Sequence, residues 1–173
     1  MKMTKVSEEV INNLVAKKIF EDLTSKYCRG LDRIDEGLLK GVFWKEAEVD
    51  IGIFSGSIED FMPFIIDTLN SSIRSSHSVS NFLFEIDNNV AVGEIYVHGV
   101  SSFFNEENVE IDGHVGGRYL TQYEKREEEW RMTKLTFIMD WNMNIESSAL
   151  WNQGFRIGVR GEGDLSHSSL KSR

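Results

Sequence analysis

Cysteine is almost absent from this sequence, and its scarcity restricts both the chemistry and the compartment of the protein. The one cysteine, Cys28, cannot form a disulfide within the chain or supply a zinc site built on several thiolates. Chains without disulfides are typical of reducing compartments. The sequence therefore predicts a cytoplasmic protein that does not depend on covalent cross-links.

Long apolar runs and clusters of basic residues are also missing. No stretch approaches the roughly 20 apolar residues that a membrane-spanning helix needs. The polar residues 1–9 do not resemble a secretory signal peptide. Acidic residues outnumber basic ones by 28 to 19, which gives a formal net charge of -9. Such a surface repels phosphate backbones, so we expect neither a membrane nor a nucleic acid as a partner.

The sequence lacks the common motifs for metals, bound phosphates and nucleophilic serines. It contains no HxxxH or HExxH pattern, and its Gly116-Gly117 pair begins a predicted strand instead of opening a helix. Its serines do not lie in a nucleophile elbow. We therefore expect no metal and no cofactor. Acid–base chemistry by a carboxylate, a histidine and a phenol remains.

An amphipathic pattern opens the chain. A helix is predicted from about residue 8 to residue 30 or 31, capped by Ser7. Its core face is predicted to carry residues at steps of four: Ile11, Val15, Ile19, Leu23, Tyr27 and Leu31. Asp32 follows, although the helix macrodipole disfavours a carboxylate there. Either a cavity at the helix end holds this side chain or it is simply solvated.

The remaining pattern predicts an α+β fold in a single domain over residues 1–173. A second helix begins at Asp35 and ends near Trp44, a strand covers 47–54, Ser55-Gly56 turns the chain, and Ser57 caps a third helix. Four strands follow at 79–86, 90–104, 114–126 and 130–141. We expect a cone-shaped barrel in which a curved, mostly antiparallel sheet wraps around the first helix. Its core covers about 8–145, and the tail 146–173 is partly disordered over its last eight residues.

Four histidines are candidate general bases. His167 lies in the tail, where we expect it to be inert. His114 begins a strand beside an acidic loop, which favours a solvated position. His98 lies on the polar side of its strand, so it faces a pocket only if a bulge reverses the alternation. His77 stands where a helix passes into a strand, a position that lines either a pocket or the surface.

Several segments together resemble the SnoaL-like domain of the nuclear transport factor 2-like superfamily. The resemblance covers roughly residues 8–145 and is carried by Tyr-Cys-Arg-Gly-Leu-Asp-Arg-Ile-Asp at 27–35, 52–56, His77 with Asn81, 117–131, and Met139-Asp140-Trp141. Members with understood chemistry are scytalone dehydratase, hexachlorocyclohexane dehydrochlorinase and bile acid 7α-dehydratase. They are cofactor-free lyases with an α+β cone fold, and they form trimers.

The resemblance implies an Asp–His dyad in which the Asp ends the first helix and the His follows the third. Asp32 and His77 match these positions. Tyr27, just over one turn before Asp32, is our candidate donor of a hydroxyl to a departing oxygen or a developing enolate. The implied ligand is a hydrophobic small molecule in a pocket lined by Trp44, Phe54, Val97, His98, Tyr119, Leu135 and Met139. The dehydrochlorinase has a lysine at the position of Tyr27 and an arginine at that of Leu135, so substrate polarity is not implied.

Three classes of function fit this sequence. The first is a cofactor-independent lyase, dehydratase-like, or an isomerase that acts on a hydrophobic cyclic molecule. The others are a non-catalytic binding cone and a structural subunit like the β subunits of ring-hydroxylating dioxygenases. An intact Asp32 and His77 favour the first class. Apolar residues outside the predicted core, at Phe103, Phe104 and 151–155, favour a homo-oligomer, a trimer by resemblance or else a dimer.

Overall fold

The computed structural model describes residues 7–171. Most of the polar N-terminal stretch, residues 1–6, and the end of the predicted disordered tail, residues 172–173, lie outside the described residues. In chain order the elements are α1 (Glu8–Arg33), α2 (Glu36–Gly41), β1 (Phe43–Asp50), β2 (Ser55–Ser57), α3 (Ile58–Asn70), β3 (Arg74–Asp87), β4 (Val90–Phe104), β5 (Glu110–Arg126), β6 (Glu129–Glu146), a 3-10 turn (Gly161–Gly163) and α4 (Leu165–Lys171).

The strands form one six-stranded sheet in the order β2-β1-β6-β5-β4-β3. Every neighbouring pair is antiparallel except β1 and β6, which run parallel. Register shifts interrupt β3 between Ser80 and Leu83, and β6 at Asp140 and Thr133, where β6 has one extra residue relative to β5. Such bulges bend a strand, so the long strands curve. The predicted α+β fold, a mostly antiparallel sheet with three N-terminal helices, is confirmed.

Helix α1 lies against the inner face of the sheet, defined here as the face that carries Ile95 and Tyr119. Phe20 anchors it: the ring is fully buried and stacks on Tyr123 with ring centroids 4.1 Å apart. It also meets Trp130 edge to face at 5.1 Å. Aromatic pairs of this kind add stability beyond the area they bury. This cluster fixes the middle of the helix and thereby the place where its last turn ends.

The predicted core face of α1 is wrong in its first half. Ile11 and Val15 are 49% and 54% exposed, whereas Leu23, Tyr27 and Leu31 are buried. Each helical residue turns the chain by about 100°, so a step of four drifts by about 40°. Five such steps from Leu31 back to residue 11 add up to about 200°. The buried stripe therefore leaves the step of four and passes through Phe20.

The predicted helix starts are confirmed by their caps. Ser7 accepts from Val10 N at 3.3 Å, and Asp35 accepts from Leu38 N at 3.1 Å. Ser57 accepts from the backbone N–H of Asp60 at 3.1 Å, and α3 continues through Pro63 without a break. Side-chain caps satisfy donors that the first helical turn leaves unpaired.

The first strand begins earlier than predicted. Phe43 and Trp44, expected at the end of α2, begin β1, because α2 already ends at Gly41. Ser55 and Gly56, expected as a turn, pair with β1 instead, and the chain reverses at 51–54. Gly52 supplies the left-handed conformation there, with φ of 80°.

The tail also differs from the prediction. The structure has the 3-10 turn in this tail and α4 over residues that include most of the last eight, where disorder was expected. Asp164 caps this helix by accepting from Ser166 N at 2.9 Å, and Arg29 donates to the Ser166 hydroxyl at 3.0 Å. These long-range contacts compensate for the polar composition of the segment. Among the described residues, no helix is both long and apolar enough to cross a membrane.

Candidate active site at the end of the first helix

The last turn of α1 is held in place by its contact with α2. Gly30 packs so closely on Leu39 that an added Cβ would lie 2.7 Å from Leu39 Cγ. Asp35 N donates to Gly30 O at 2.9 Å, and Ile34 turns the chain with a φ of 54°. These contacts fix the backbone around Asp32 independently of the hydrogen bonds that its side chain makes.

Asp32 and His77 form the predicted pair. His77 Nδ1 lies 2.7 Å from Asp32 Oδ1, and the His77 backbone N–H donates to Asp32 Oδ2 at 2.9 Å. The side chains are 14% and 17% exposed for Asp32 and His77, respectively. An ionised carboxylate only accepts hydrogen bonds, so the Nδ1 atom of a neutral imidazole carries the proton. Nε2 then has a free lone pair and can act as a base.

The sheet register sets the orientation of the imidazole. His77 in β3 lies opposite Gly99 in β4, and Gly99 lies opposite Val115 in β5. Paired residues of neighbouring strands project to the same face of a sheet. Within residues 7–171, His77 Nε2 makes no hydrogen bond. The base therefore lies on the inner face beside a position that has no side chain.

A cleft of about 280 Å³ opens at this pair. Its lining is Ser25, Cys28, Arg29, Asp32, Arg33, His77 and Val79. Burial raises the pKa of Cys28 to about 12, and the Asp32 carboxylate adds to that shift. The thiol is therefore protonated at neutral pH and is a poor nucleophile. Within this cleft, the Asp32–His77 pair is therefore better suited than the thiol to acid–base chemistry.

Four predicted pocket residues lie in the interior beneath α1 and do not line the dyad cleft itself. Tyr27, Val97, Tyr119 and Leu135 are all at most 5% exposed. The rings of Tyr27 and Tyr119 meet edge to face at 5.7 Å. Burial raises the pKa of both phenols above the ordinary value, and in Tyr119 the negative charge of Asp32 contributes to the shift. Both hydroxyls therefore remain proton donors at neutral pH.

Trp44, Phe54 and Met139 are not brought to the dyad cleft. Trp44 lines a second cleft of about 840 Å³ between α2, α3 and β1. Phe54 stacks on Phe64 of α3 at 5.0 Å, and Met139 is 54% exposed. Trp44 is displaced because its strand starts earlier than the sequence indicated.

His98 lies on the outer face of the sheet, so no bulge turns it toward the interior. Its Nε2 is 3.3 Å from His114 Nδ1, and its ring meets Trp141 at 5.7 Å. Strand alternation predicted this outward position, whereas the pocket lining implied by the family resemblance included His98, and that part of the prediction is wrong. His167 contacts the start of α2, with Nδ1 3.9 Å from Asp35 Oδ2. His77 is therefore the histidine that the fold joins to Asp32.

The sequence argument missed two arginines of the cleft. Arg29 and Arg33 flank Asp32 on α1, three positions before and one position after it. Arg33 also donates to Asp32 O at 3.1 Å. The signal was available in the Arg-Gly-Leu-Asp-Arg run, because residues three apart in a helix lie on the same side. Within residues 7–171, no cluster of three or more His, Cys, Asp or Glu side chains is suited to a metal.

The chain belongs to the SnoaL-like domain family. The family model matches residues 18–136, which include Asp32 and His77. A comparison with curated protein sequences gave no match.

Several solved structures share the fold of this chain. A hexachlorocyclohexane dehydrochlorinase of type 2 is 21% identical, with a TM-score of 0.72 over 84% of this chain and 99% of its own. A protein from Novosphingobium aromaticivorans provisionally assigned as a scytalone dehydratase is 18% identical, with a TM-score of 0.69 over 86% and 99%. A cystatin-like protein of unknown function from Nostoc punctiforme is 17% identical, with a TM-score of 0.58 over 70% and 88%. At these identities the comparison shows a shared fold.

Proposed function

We propose that this protein is a cofactor-independent lyase or isomerase that acts on a hydrophobic cyclic small molecule through Asp32 and His77. The observation that carries the proposal is the double hydrogen bond from His77 to the two Asp32 oxygens, 2.7 Å and 2.9 Å long. A carboxylate that holds an imidazole in one tautomer is the arrangement of a general base. The single buried cysteine, Cys28, favours the cytoplasm as its compartment.

In the proposed reaction, His77 Nε2 removes a proton from a substrate carbon next to a leaving group or a carbonyl. In an elimination, the electron pair of the broken C–H bond forms a double bond, and the leaving group departs with its own electron pair. In an isomerisation, the imidazolium returns the proton to a different carbon. Asp32 stabilises the imidazolium as it forms, because an opposite charge lies within hydrogen-bond distance.

Tyr27 is the proposed hydroxyl donor for the departing group or for a developing enolate. It precedes Asp32 by five residues and faces the interior, where burial keeps its hydroxyl protonated. A fixed donor in a site with little water stabilises negative charge more strongly than the same donor in solution. The remaining interior residues, Val97, Tyr119 and Leu135, are the proposed apolar contacts of the ligand.

A screen of hydrophobic cyclic metabolites by thermal shift, followed by product analysis of the compounds that bind, tests this proposal. Ligands that bind the native state raise the melting temperature by mass action. For a compound that is turned over, we expect His77→Ala to lower the rate about 100- to 10,000-fold. His114→Ala, on the outer face, is the matched control and is expected to retain the wild-type rate. Equal rates in His77→Ala and wild type contradict the assignment.

The same experiment separates the alternative classes of function. A non-catalytic binding cone binds a compound without turnover, and His77→Ala then leaves the bound compound chemically unchanged as well. A structural subunit instead co-purifies with a large iron–sulfur partner from its native cell. Either result assigns the cone to a role without chemistry.

A further inference from the structure

The C-terminal segment, residues 158–168, lies beside the dyad cleft and is fastened there by Arg160. The guanidinium donates through Nη1 to Leu69 O at 2.8 Å and to Ser72 O at 2.7 Å. Through Nη2 it also donates to Ser72 Oγ at 2.9 Å. Leu69 O lies in the last turn of α3 and also accepts from Ser72 N at 3.1 Å, and a cation is favoured at this end of a helix. Arg160 therefore fixes the segment near the start of β3, the strand that carries His77.

The segment presents a carboxylate to the arginines of the cleft. Asp164 Oδ2 lies 3.7 Å from Arg33 Nε. The same carboxylate accepts from Val159 N at 3.1 Å and Ser166 N at 2.9 Å. The Ser166 hydroxyl also donates to this carboxylate. Together these hydrogen bonds, that of the hydroxyl most of all, lower the pKa of Asp164 to about 2. The side chain is therefore an anion across the whole physiological range.

Arg29 has a neutral partner in the structure. It donates to Ser166 Oγ at 3.0 Å, and within residues 7–171 no carboxylate lies within 4 Å of its guanidinium. The residue is half-buried and lines the same cleft as Asp32 and His77. A guanidinium held in this way has donors left for a planar anion, which it can bind through two parallel hydrogen bonds.

We propose that Arg29 and Arg33 form an anion-binding subsite of the dyad cleft, and that its ligand is a small cyclic carboxylate. Asp164 is the intramolecular competitor for this subsite. This ligand is also a substrate only if the proposed function holds, because conversion of the ligand requires the chemistry of His77. The segment 158–168 lies beyond residues 18–136, which match the family model, so the competitor belongs to a part of the chain outside that match.

The proposal is tested by isothermal titration with benzoate and with its neutral counterpart benzamide. The proteins are wild type, Asp164→Asn, Arg160→Gln and the control Glu162→Gln. Glu162 is exposed and two residues from Asp164, so its variant removes a charge from the same segment without touching an arginine. If Asp164 occupies the subsite nine-tenths of the time, its removal tightens benzoate binding about tenfold.

We expect Asp164→Asn and Arg160→Gln to bind benzoate more tightly than wild type, and Glu162→Gln to match wild type. Adding Arg29→Gln to Asp164→Asn is expected to abolish the gain, and benzamide is expected to show none. The proposal is overturned if neither variant binds benzoate more tightly, or if benzamide gains as much as benzoate. Benzoate binding is also measured in His77→Ala. Because this binding does not require turnover, the anion subsite is tested independently of the proposed reaction.

Discussion

The imidazole of His77 lies directly against the Cα of Gly99 on the neighbouring strand. A Cβ at Gly99 would lie 3.3 Å from His77 Cδ2 and 3.4 Å from Nε2, and 3.2 Å from Val115 Cγ2. The distances to Val115 Cγ2 and His77 Cδ2 are shorter than ordinary van der Waals contacts between carbon atoms. The missing side chain therefore makes room for the ring, and Gly99 belongs to the site even though it has no chemistry of its own.

Gly99→Ala is expected to displace the imidazole and weaken its hydrogen bond to Asp32. The extra methyl group meets atoms on both sides, and overpacking of this kind costs about 1–3 kcal/mol in the free energy of unfolding. The measurement is the downfield proton resonance of the His77 Nδ1–H group, which we expect to broaden or shift. Gly41→Ala is the control, because a Cβ there meets nothing within 4 Å. An unchanged resonance in Gly99→Ala contradicts this prediction.

The pairing of Asp32 with His77 could be predicted from the resemblance to a known family, although 45 residues separate the two in the sequence. Local rules were sufficient for the start of the helix that delivers Asp32, because Ser7 caps it through a short-range hydrogen bond. Local rules were also sufficient for the hairpin at Asn88, which adopts a φ of 54° between β3 and β4.

Contacts that depend on tertiary packing could not be predicted in this way. Arg160 meets Leu69 across 91 residues, and nothing in its neighbourhood distinguishes it from a solvated arginine. Trp44 is expected at the end of a helix but begins β1, because a short apolar pattern of four to eight residues fits both a helix and a strand. The prediction of which face of a long helix is buried fails for a different reason. A small error in the assumed helical period accumulates along the helix, so that Ile11 at its start is placed on the wrong face.

Asp32→Asn is expected to remove the base even though the shape of the side chain is kept. Asp32 accepts from two N–H groups of His77 with two oxygens, whereas an asparagine has one oxygen and an NH2 group. If the NH2 group faces the ring, the tautomer changes and Nε2 carries the proton. The rate on an identified substrate should fall about 100- to 10,000-fold. Nitrogen chemical shifts of the imidazole report the tautomer without any substrate.

Asp22→Asn is the control for this substitution. Asp22 lies on the same helix, and its one partner among residues 7–171 is the exposed Lys18, at 3.1 Å. Its variant should keep both the rate and the imidazole shifts of wild type. The same Nδ1–H tautomer in Asp32→Asn as in wild type would be incompatible with the role given to the carboxylate.

The buried phenol of Tyr27 is expected to make stability fall at alkaline pH. Burial raises its folded-state pKa, whereas an unfolded tyrosine titrates near about pH 10. Below pH 10 both states bind the proton; above it the unfolded state loses the proton first, so stability decreases as pH rises. The difference in unfolding free energy between wild type and Tyr27→Phe should be constant from pH 7 to 9 and should then shift against wild type. Parallel curves up to pH 11 would contradict burial of the phenol.

The outer face of the sheet exposes a set of large apolar side chains on neighbouring strands. Leu83, Val92, Tyr96, Leu120 and Trp141 are each between 38% and 64% exposed. Their register places them on the side opposite to the inner row of His77, as alternate positions of β3 to β6. Arg118 lies among them and pairs with Glu94 and Asp140, so this face combines exposed apolar and charged groups, as protein interfaces do. We propose that this face joins copies of the chain into a homo-oligomer, a trimer by family resemblance.

Trp141→Glu is expected to dissociate this assembly. The ring is 48% exposed and lies across Gly116 and His98, so a carboxylate there would be buried without a partner in a sheet-to-sheet interface. Sedimentation at micromolar concentration should show wild type as a trimer or dimer and Trp141→Glu as a monomer. Ile53→Glu, 75% exposed in the turn between β1 and β2, is the control and should sediment like wild type. A wild-type protein that sediments as a monomer at this concentration would leave the outer face without the partner proposed for it.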